Sequence, residues 1–352
     1  MPALKDEYKI RGQRRRGMFL LSLLFLFAAA AAACFVGTSD LSLGRMAASL
    51  FPGFGEKRGI LPLDEREINV LFMLRLPRVA AALAAGAGLG ISGTAMQAIT
   101  GNHMASPFTT GISSAAAFGA AAVIIFGGVG PGAQKTATVA AAFLMAALCT
   151  MLVYGLANVR GMGAQALVLI GIALNYLFQA MNSTMQFIAN EQQLPAIVHW
   201  TFGSLTAAGW GEVAVMAVIF ALVFLLYGSQ AWAFNLLSLG QEETAASLGL
   251  HVAKLRIVTG AAGALMTAAV VSFTGVIGFV GLVAPHMARL LLGGDYRLVL
   301  PFSAVFGALL VLLGDTLGRT LFSPVTIPVG IVVSYVGVPL FLWLILRERR
   351  MG

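Results

Sequence analysis

The amino-acid sequence predicts an all-α integral membrane protein with about ten transmembrane helices. Of its 352 residues, 59% are hydrophobic and only 10% are charged, whereas an average soluble domain has about 25% charged residues. The charges are also unevenly spaced, because none lies between Arg78 and Lys135 or between Arg256 and Arg289. One helix needs about 20 apolar residues to cross a bilayer core of about 30 Å, so the first of these stretches has room for two helices.

Ten apolar segments of helical length follow one another along the chain, and we assign one transmembrane helix to each. The eighth is short and contains Gly278, Gly281 and Pro285, which membrane helices tolerate where neighbouring groups satisfy the freed backbone. A further short helix near 194–205 is expected at the membrane edge without crossing it. The ten predicted spans are 18–37, 79–99, 109–127, 136–157, 164–187, 211–228, 255–275, 276–292, 299–317 and 328–346.

The predicted domain organisation is a basic N-terminus (1–17), one transmembrane domain (18–346) and a short tail (347–352). The basic start and the apolar run behind it also resemble a signal peptide. That run is longer than a usual signal-peptide core and further spans follow, so a retained first helix is favoured.

The distribution of Lys and Arg predicts the orientation of the helices. Both ends of the chain are basic, so both are expected in the cytoplasm, and an even number of spans is required. Three arginines then fall on the external side, against the usual bias: Arg75, Arg78 and Arg319. The basic residues that follow the rule are Arg160, Lys254, Arg256, Arg289 and Arg297.

The sequence contains no pattern that predicts catalysis by this chain. No lysine follows a glycine, so a phosphate-binding G-x-x-x-x-G-K-[ST] loop is absent, as are HExxH and GxSxG. The net charge of +8 does not predict nucleic-acid binding, because the basic residues cluster at the chain ends and in short loops. Asp315 is the one candidate for an ion-coupling carboxylate. A helix-face ion pair with Arg319, four residues on, is the favoured alternative.

The stretch "LGQEETAASLGLH" (239–251) is a polar island between the sixth and seventh spans. We predict a short helix over 241–248, with Glu242 and Glu243 in the first turn, where the helix dipole favours negative charge. Its predicted apolar side and bracketing glycines are Leu239, Ala245, Leu248, Gly240 and Gly249. A docking helix for a soluble partner is the favoured interpretation. A solvated loop is the alternative.

Six stretches in one order resemble the permease subunit of type II ABC importers, the family that takes up iron-siderophores, haem and cobalamin. The resemblance covers nearly the whole chain after the first span. The stretches are "RLPR" (75–78), "GISGTAMQAITGNHMASPFTTGIS" (90–113), "WTFGSL" (200–205), "LGQEETAASLG" (239–249), "GVIGFVGLVAPHMAR" (275–289) and "IPVGIVVSYVGVPLF" (327–341).

The resemblance implies partners and a role for several residues. Arg75, Arg78 and Arg319 are expected to face outwards and to pair with acidic residues of an external substrate-binding protein. For the first two, interfacial anchoring by snorkelling is the alternative. The segment 235–251 is expected to couple the chain to a cytoplasmic ATPase. The implied assembly has two copies of this chain and two ATPase subunits, which bind the ATP and Mg²⁺, in a prokaryotic plasma (inner) membrane, with no cofactor or metal on this chain.

Two further groups of residues follow from the same resemblance. Asn102, His103 and Met104, with Gly163, Ala164 and Gln165, resemble the family's cytoplasmic gate, and for the second loop plain close packing is the alternative. Polar side chains recur on one face of the fifth span, as expected for the wall of a water-filled path. Hydrogen bonding between helices is the competing interpretation. These residues are Asn175, Gln179, Asn182, Ser183 and Gln186.

The cargo is predicted only as a class. An iron-siderophore is the first choice by family frequency, and haem, cobalamin and oxyanions are alternatives. Thr326 stands where many members have a glutamate, which weakens transfer of cargo identity from the family. His286 is predicted to be structural rather than a metal ligand. The competing functional classes are an ion-coupled secondary transporter and a stand-alone membrane enzyme.

Overall fold

A computed structural model describes residues 2–36, 43–50, 61–128, 130–159, 163–238, 242–321, 323 and 325–348. Within these residues there are thirteen α-helices, one short 3-10 helix (Pro107–Thr110) and no strand. The helices are α1 (Pro2–Phe35), α2 (Leu43–Leu50), α3 (Glu65–Thr100), α4 (Ile112–Phe126), α5 (Pro131–Val159), α6 (Ala164–Ile188), α7 (Gln193–Thr201), α8 (Trp210–Leu237), α9 (Glu242–Ser247), α10 (Val252–Thr274), α11 (Val280–Leu292), α12 (Tyr296–Thr320) and α13 (Val329–Glu348).

The helices confirm the predicted fold class. Seven described helices are long and apolar enough to cross a membrane, namely α1, α3, α5, α6, α8, α10 and α12. Three shorter apolar helices, α4, α11 and α13, occupy the remaining predicted spans. Each predicted span therefore corresponds to one helix, and α7 corresponds to the short helix expected at the membrane edge.

The second span begins earlier than the sequence predicted. α3 starts at Glu65, and a π-helical segment (Val70–Arg75) joins its first turn to the membrane-crossing part. Asp64 caps this start: its Oδ1 accepts from the Glu67 backbone N–H at 2.7 Å, and Glu67 Oε2 accepts from the Asp64 N–H at 2.9 Å. The D-x-x-E capping signal was therefore present in the sequence.

Contacts between helix ends divide the bundle into two faces. Arg15, where the apolar part of α1 begins, donates from Nη2 to the Leu292 carbonyl at the end of α11, at 3.1 Å. Arg256, near the start of α10, donates from Nε to the Ile99 carbonyl at the end of α3, at 2.9 Å. We call the end of the bundle at which the apolar part of α1 begins the N-terminal end. At the opposite end, the start of α3 meets the end of α1, because Arg75 Nη1 donates to the Cys34 carbonyl at 2.7 Å.

Small residues allow α3 to occupy the centre of the bundle. Gly86 and Gly90 face the backbone of α12, and Gly93 faces the backbone of α11. A Cβ atom at any of the three would overlap a carbonyl of the neighbouring helix. Close approach of membrane helices through small residues at intervals of three or four is a common packing mode. The glycines of α3 thus set the distance between the helices that form the core.

Candidate functional site

The polar island forms the short helix that the sequence predicted, at the N-terminal end of the bundle. α9 spans Glu242–Ser247, and Gly249 follows it with a φ of +87°, a conformation that favours glycine. The Gly249 N–H donates to the Ala246 carbonyl at 2.9 Å, and the Leu250 N–H donates to the Ala245 carbonyl at 3.1 Å. Leu239 and Gly240 lie outside the described residues.

The side chains of this segment are not arranged as predicted. Ala245 is buried in the hydrophobic core, whereas Leu248 is 62% exposed. The expectation that both line one apolar side is wrong, because α9 ends at Ser247 and the chain turns before a second helical turn is complete. Glu243 is also exposed. Leu248 is therefore a large apolar side chain presented outside the chain's own core.

Arg256 connects α9 to the end of α3, a role that the sequence analysis missed. Its guanidinium is buried and donates from Nη1 to Glu242 Oε2 at 3.0 Å, and a second ion-paired contact joins Nη2 to Glu242 Oε1. The same guanidinium donates from Nε to the Ile99 carbonyl, in the last turn of α3. Arg256 therefore connects α9 directly to the end of α3 through polar contacts, and a displacement of α9 would act on the end of α3 through them. In the sequence analysis, Arg256 served only to predict the orientation of the helices in the membrane.

The predicted gate residues lie in two loops at the N-terminal end. Asn102, His103 and Met104 follow α3 directly and are exposed, and Asn102 Oδ1 accepts from the Met104 N–H at 2.9 Å. Gly163, Ala164 and Gln165 surround the start of α6. A Cβ atom at Gly163 would meet no atom within 4 Å, so close packing within this chain does not require a glycine there.

The polar residues of α6 fall into two groups, one that binds α4 and one that is at least partly exposed. Asn175 Oδ1 accepts from Ser114 Oγ at 2.6 Å, and Asn182 Nδ2 donates to the Ser114 carbonyl at 2.8 Å. These two asparagines bind α6 to α4, so for them the interhelical alternative is correct. Gln179 and Ser183 are exposed, and Gln186 is half-buried. The candidate path wall is reduced to these three residues.

At the opposite end, Asp315 joins two of the three anomalous arginines. Its carboxylate is 3% exposed. Arg78 approaches it with two nitrogens, Nε at 3.0 Å and Nη2 at 2.8 Å from Oδ1. Arg319 Nε lies 3.3 Å from Oδ2. The predicted ion pair between Asp315 and Arg319 is present, and Arg78 is an additional partner.

Arg75 and Arg319 bind the end of α1. Arg75 Nη1 donates to the Cys34 carbonyl and, at 2.9 Å, to the Phe35 carbonyl. Arg319 Nη2 donates to the Ala33 carbonyl at 3.0 Å. The last carbonyls of a helix lack partners within it and carry partial negative charge, so two cations satisfy this end well. The expectation that both arginines face outwards needs correction, because their exposed fractions are 6% and 9%.

A second candidate region surrounds the broken eighth span. A cavity of about 610 Å³ lies between the end of α7, the 276–279 loop and α13. Phe279 lines it with a φ of +65°, and no other described residue except glycine has a positive φ. Thr201, Ser334 and Tyr335 provide hydroxyl groups in an otherwise apolar lining. Bulky residues occupy this backbone region at an energetic cost and most often at functional sites.

His286 is a buried residue of α11, close to α13, which lines this cavity. It is 4% exposed, and its ring packs edge-on against Phe341 of α13 with centroids 5.8 Å apart. This placement agrees with the predicted structural role of His286.

Among the described residues, seven helices of membrane-crossing length and three shorter apolar helices, with one short polar helix between α8 and α10, form the architecture of a multi-pass membrane protein. The FecCD transport family matches residues 20–347, and the chain belongs to this family. A protein of Methanocaldococcus jannaschii named as an ABC transporter permease is 38% identical over 98% of both chains. The hemin transport system permease protein HmuU of Yersinia pestis is 39% identical, over 80% of this chain and 84% of HmuU.

A solved structure shares the whole architecture. It is an inward-facing conformation of an ABC transporter assigned to the metal-chelate type, and it superposes with a TM-score of 0.81 at 31% identity. The superposition covers 94% of this chain and 99% of the solved chain. The resemblance to ABC importer permeases that the six motifs indicated is therefore confirmed at the level of the family and of the fold.

Proposed function

We propose that this chain forms, with a second copy, the translocation path of an ATP-driven importer for a bulky metal chelate. In this proposal the N-terminal end faces the cytoplasm and binds two ATPase subunits, and the opposite end receives an external substrate-binding protein. The observation that carries the proposal is the connection from α9 through Arg256 to the end of α3, beside the 102–104 loop.

The proposed mechanism is alternating access driven from the cytoplasm. Closure of the ATPase dimer on ATP and Mg²⁺ displaces α9, because the ATPase subunit contacts the exposed Leu248 that follows this helix. The Glu242–Arg256 pair passes this movement to the end of α3 and to the gate loop that follows it. An effector shifts such an equilibrium only by its differential affinity for the two states, so the coupling segment contributes binding energy rather than chemistry.

The cargo is proposed from the path and from the relatives together. The cavity beside Phe279 has a volume of about 610 Å³, within the range of about 300–1,000 Å³ usual for ligand sites. Its lining is mostly apolar with three hydroxyl groups, which suits a chelate that already surrounds its metal. One relative is named for hemin and the solved structure for metal chelates. An iron-siderophore is the first choice, and haem and cobalamin are alternatives.

The docking surface is proposed around Arg78 rather than around all three arginines. Arg78 has the most exposed side chain of the three, at 16%, and Arg75 and Arg319 are occupied by the carbonyls of α1. An acidic group of the binding protein would add to a cluster of three arginines and one carboxylate. That cluster has an excess of positive charge, which favours an acidic partner.

The coupling role is tested by Leu248→Asp in the transporter reconstituted with its ATPase and binding protein. We expect loss of uptake and of substrate-stimulated ATP hydrolysis, because a charge replaces the apolar anchor. Ser247→Asp is the matched control, since it adds the same charge at the adjacent exposed position and keeps Leu248. Normal stimulated hydrolysis in Leu248→Asp would exclude the proposed contact.

The secondary-transporter alternative makes a different prediction. It requires Asp315 to exchange protons or ions, yet this carboxylate is paired with Arg78 and Arg319. We expect uptake into energised vesicles to continue in the presence of an uncoupler and to stop when the partner ATPase is inactivated. The opposite result would favour ion coupling.

A further inference from the structure

A long apolar groove runs along the surface of the bundle between α1, α11 and α12. We call it the α1 groove; it is open to the outside and has a volume of about 780 Å³. Its lining extends from Met18 to Ala28 on α1 and from Phe302 to Leu313 on α12, with Leu291 of α11 at its N-terminal end. Apart from Ser22, every lining side chain is apolar. None of the residues of the proposed path or coupling segment lies in it.

The length of the α1 groove corresponds to one leaflet. Met18 and Ala28 are ten positions apart on α1, which corresponds to about 15 Å at a rise of about 1.5 Å per residue. This is half of a hydrocarbon core of about 30 Å. The groove begins near the N-terminal end of the bundle and extends towards the opposite end. An open apolar groove of this length suits lipid acyl chains rather than a compact polar solute.

Positive charge lies at the mouth of the α1 groove. Arg14 is exposed and lies four positions before the first groove residue, Met18, so the two share one face of the helix. Arg16 is also exposed, but it lies on the opposite face of α1. The next residue after Arg14, Arg15, donates to the Leu292 carbonyl, beside the groove residue Leu291. This contact holds the basic turn of α1 against the end of α11, with the exposed Arg14 guanidinium at the mouth of the groove.

We propose that the α1 groove binds the acyl region of an anionic phospholipid, whose phosphate is contacted by Arg14. Basic side chains at the membrane surface attract anionic lipids, and pockets between helices that carry them bind anionic headgroups. Arginine suits a phosphate because its planar guanidinium donates two parallel hydrogen bonds. The groove supplies the apolar contact and Arg14 supplies the preference for negative charge. This proposal is independent of the cargo and of the coupling segment.

The probe is phosphatidylglycerol, with phosphatidylcholine as the uncharged comparison, each titrated onto the delipidated full-length chain and counted by native mass spectrometry. We expect one phosphatidylglycerol to be retained about tenfold more strongly than phosphatidylcholine. Arg14→Gln should abolish this preference. Ala28→Phe, which fills the deep end of the groove, should weaken retention of both lipids while Arg14 remains.

The control is Lys254→Gln, which removes an exposed positive charge at the N-terminal end but outside the α1 groove. It should leave the retained lipid unchanged. Equal retention of the two lipids by the unaltered chain would overturn the proposal. So would an equal loss in Lys254→Gln, which would indicate general surface attraction. Unchanged retention in Ala28→Phe would show that the lipid binds elsewhere.

Discussion

Replacing Asp315 by asparagine tests whether the buried arginine cluster stabilises the end of α1. The carboxylate is 3% exposed and is the shared partner of Arg78 and Arg319. An amide of the same shape leaves two largely buried guanidinium groups without their counter-charge. Breaking a buried ion pair by removing one partner costs about 3–5 kcal/mol. We expect the cost to appear mainly at α1, because Arg319 also binds the Ala33 carbonyl.

The two cysteines provide a local assay for this variant. Both are free and buried, but Cys34 lies at the arginine cluster and Cys149 lies in the separate core between α4, α5 and α6. Thiol labelling in detergent reports the opening that exposes each one. If the free energy needed to open α1 is about 3 kcal/mol lower in Asp315→Asn, labelling of Cys34 should be about a hundredfold faster. Labelling of Cys149 should change little.

Removing the charge on Arg78 as well should restore part of the stability that the end of α1 loses in Asp315→Asn. In the double variant Asp315→Asn with Arg78→Gln, one of the two uncompensated cations is gone, so Cys34 should label more slowly than in Asp315→Asn alone. Cys34 labelling at the rate of the unaltered chain in Asp315→Asn would refute the proposed role. Equal acceleration at both cysteines would indicate global unfolding instead of loosening of α1.

Two further predictions concern the N-terminal end. Arg256→Gln should keep ATP hydrolysis by the assembled transporter but reduce uptake per ATP by about tenfold or more, because the connection from Glu242 to the Ile99 carbonyl is lost; an unchanged ratio would exclude Arg256 from coupling. Asp295 precedes α12, and hydrogen bonds from Arg297 and then Asn235 lower its pKa from 3.8 to about 2. Because the folded pKa is the lower one, the stabilisation is present above about pH 4 and is lost as the pH falls towards 2. The thermal midpoints of the unaltered chain and Asp295→Asn should therefore converge over that range; a constant difference would contradict the assignment.

The membrane-crossing architecture was predictable because it depends on local properties of the chain. Long apolar stretches with few charges have few alternatives to a membrane helix, and each predicted span corresponds to one described apolar helix, seven of which are long enough to cross a membrane. The bracketing glycines likewise located α9 to within one residue of its observed bounds. The start of α3 was placed too late, because the apolar criterion ends at Arg78 and ignores the capped, more polar turns before it.

The division of roles among polar residues was not predictable in the same way. Asn175 and Gln179 are both amides on α6, and the sequence placed them on one face. Only the packed position of Ser114 on α4 decides that Asn175 is an interhelical partner and that Gln179 is exposed. A pattern along one helix gives the direction of a side chain and contains no information on its neighbour.

By itself the sequence determined the membrane class, about ten apolar helices, the short polar helix and the family, because composition, periodicity and ordered motifs are properties of neighbouring residues. The tertiary structure alone decided which of the three arginines stays partly exposed. Arg78 and Asp315 are 237 positions apart, and Arg319 and Ala33 are 286 apart. Such pairs form only when helix packing brings distant helix ends together. The carbonyls at the end of α1 then bind Arg75 and Arg319, which the sequence had assigned to an external docking surface.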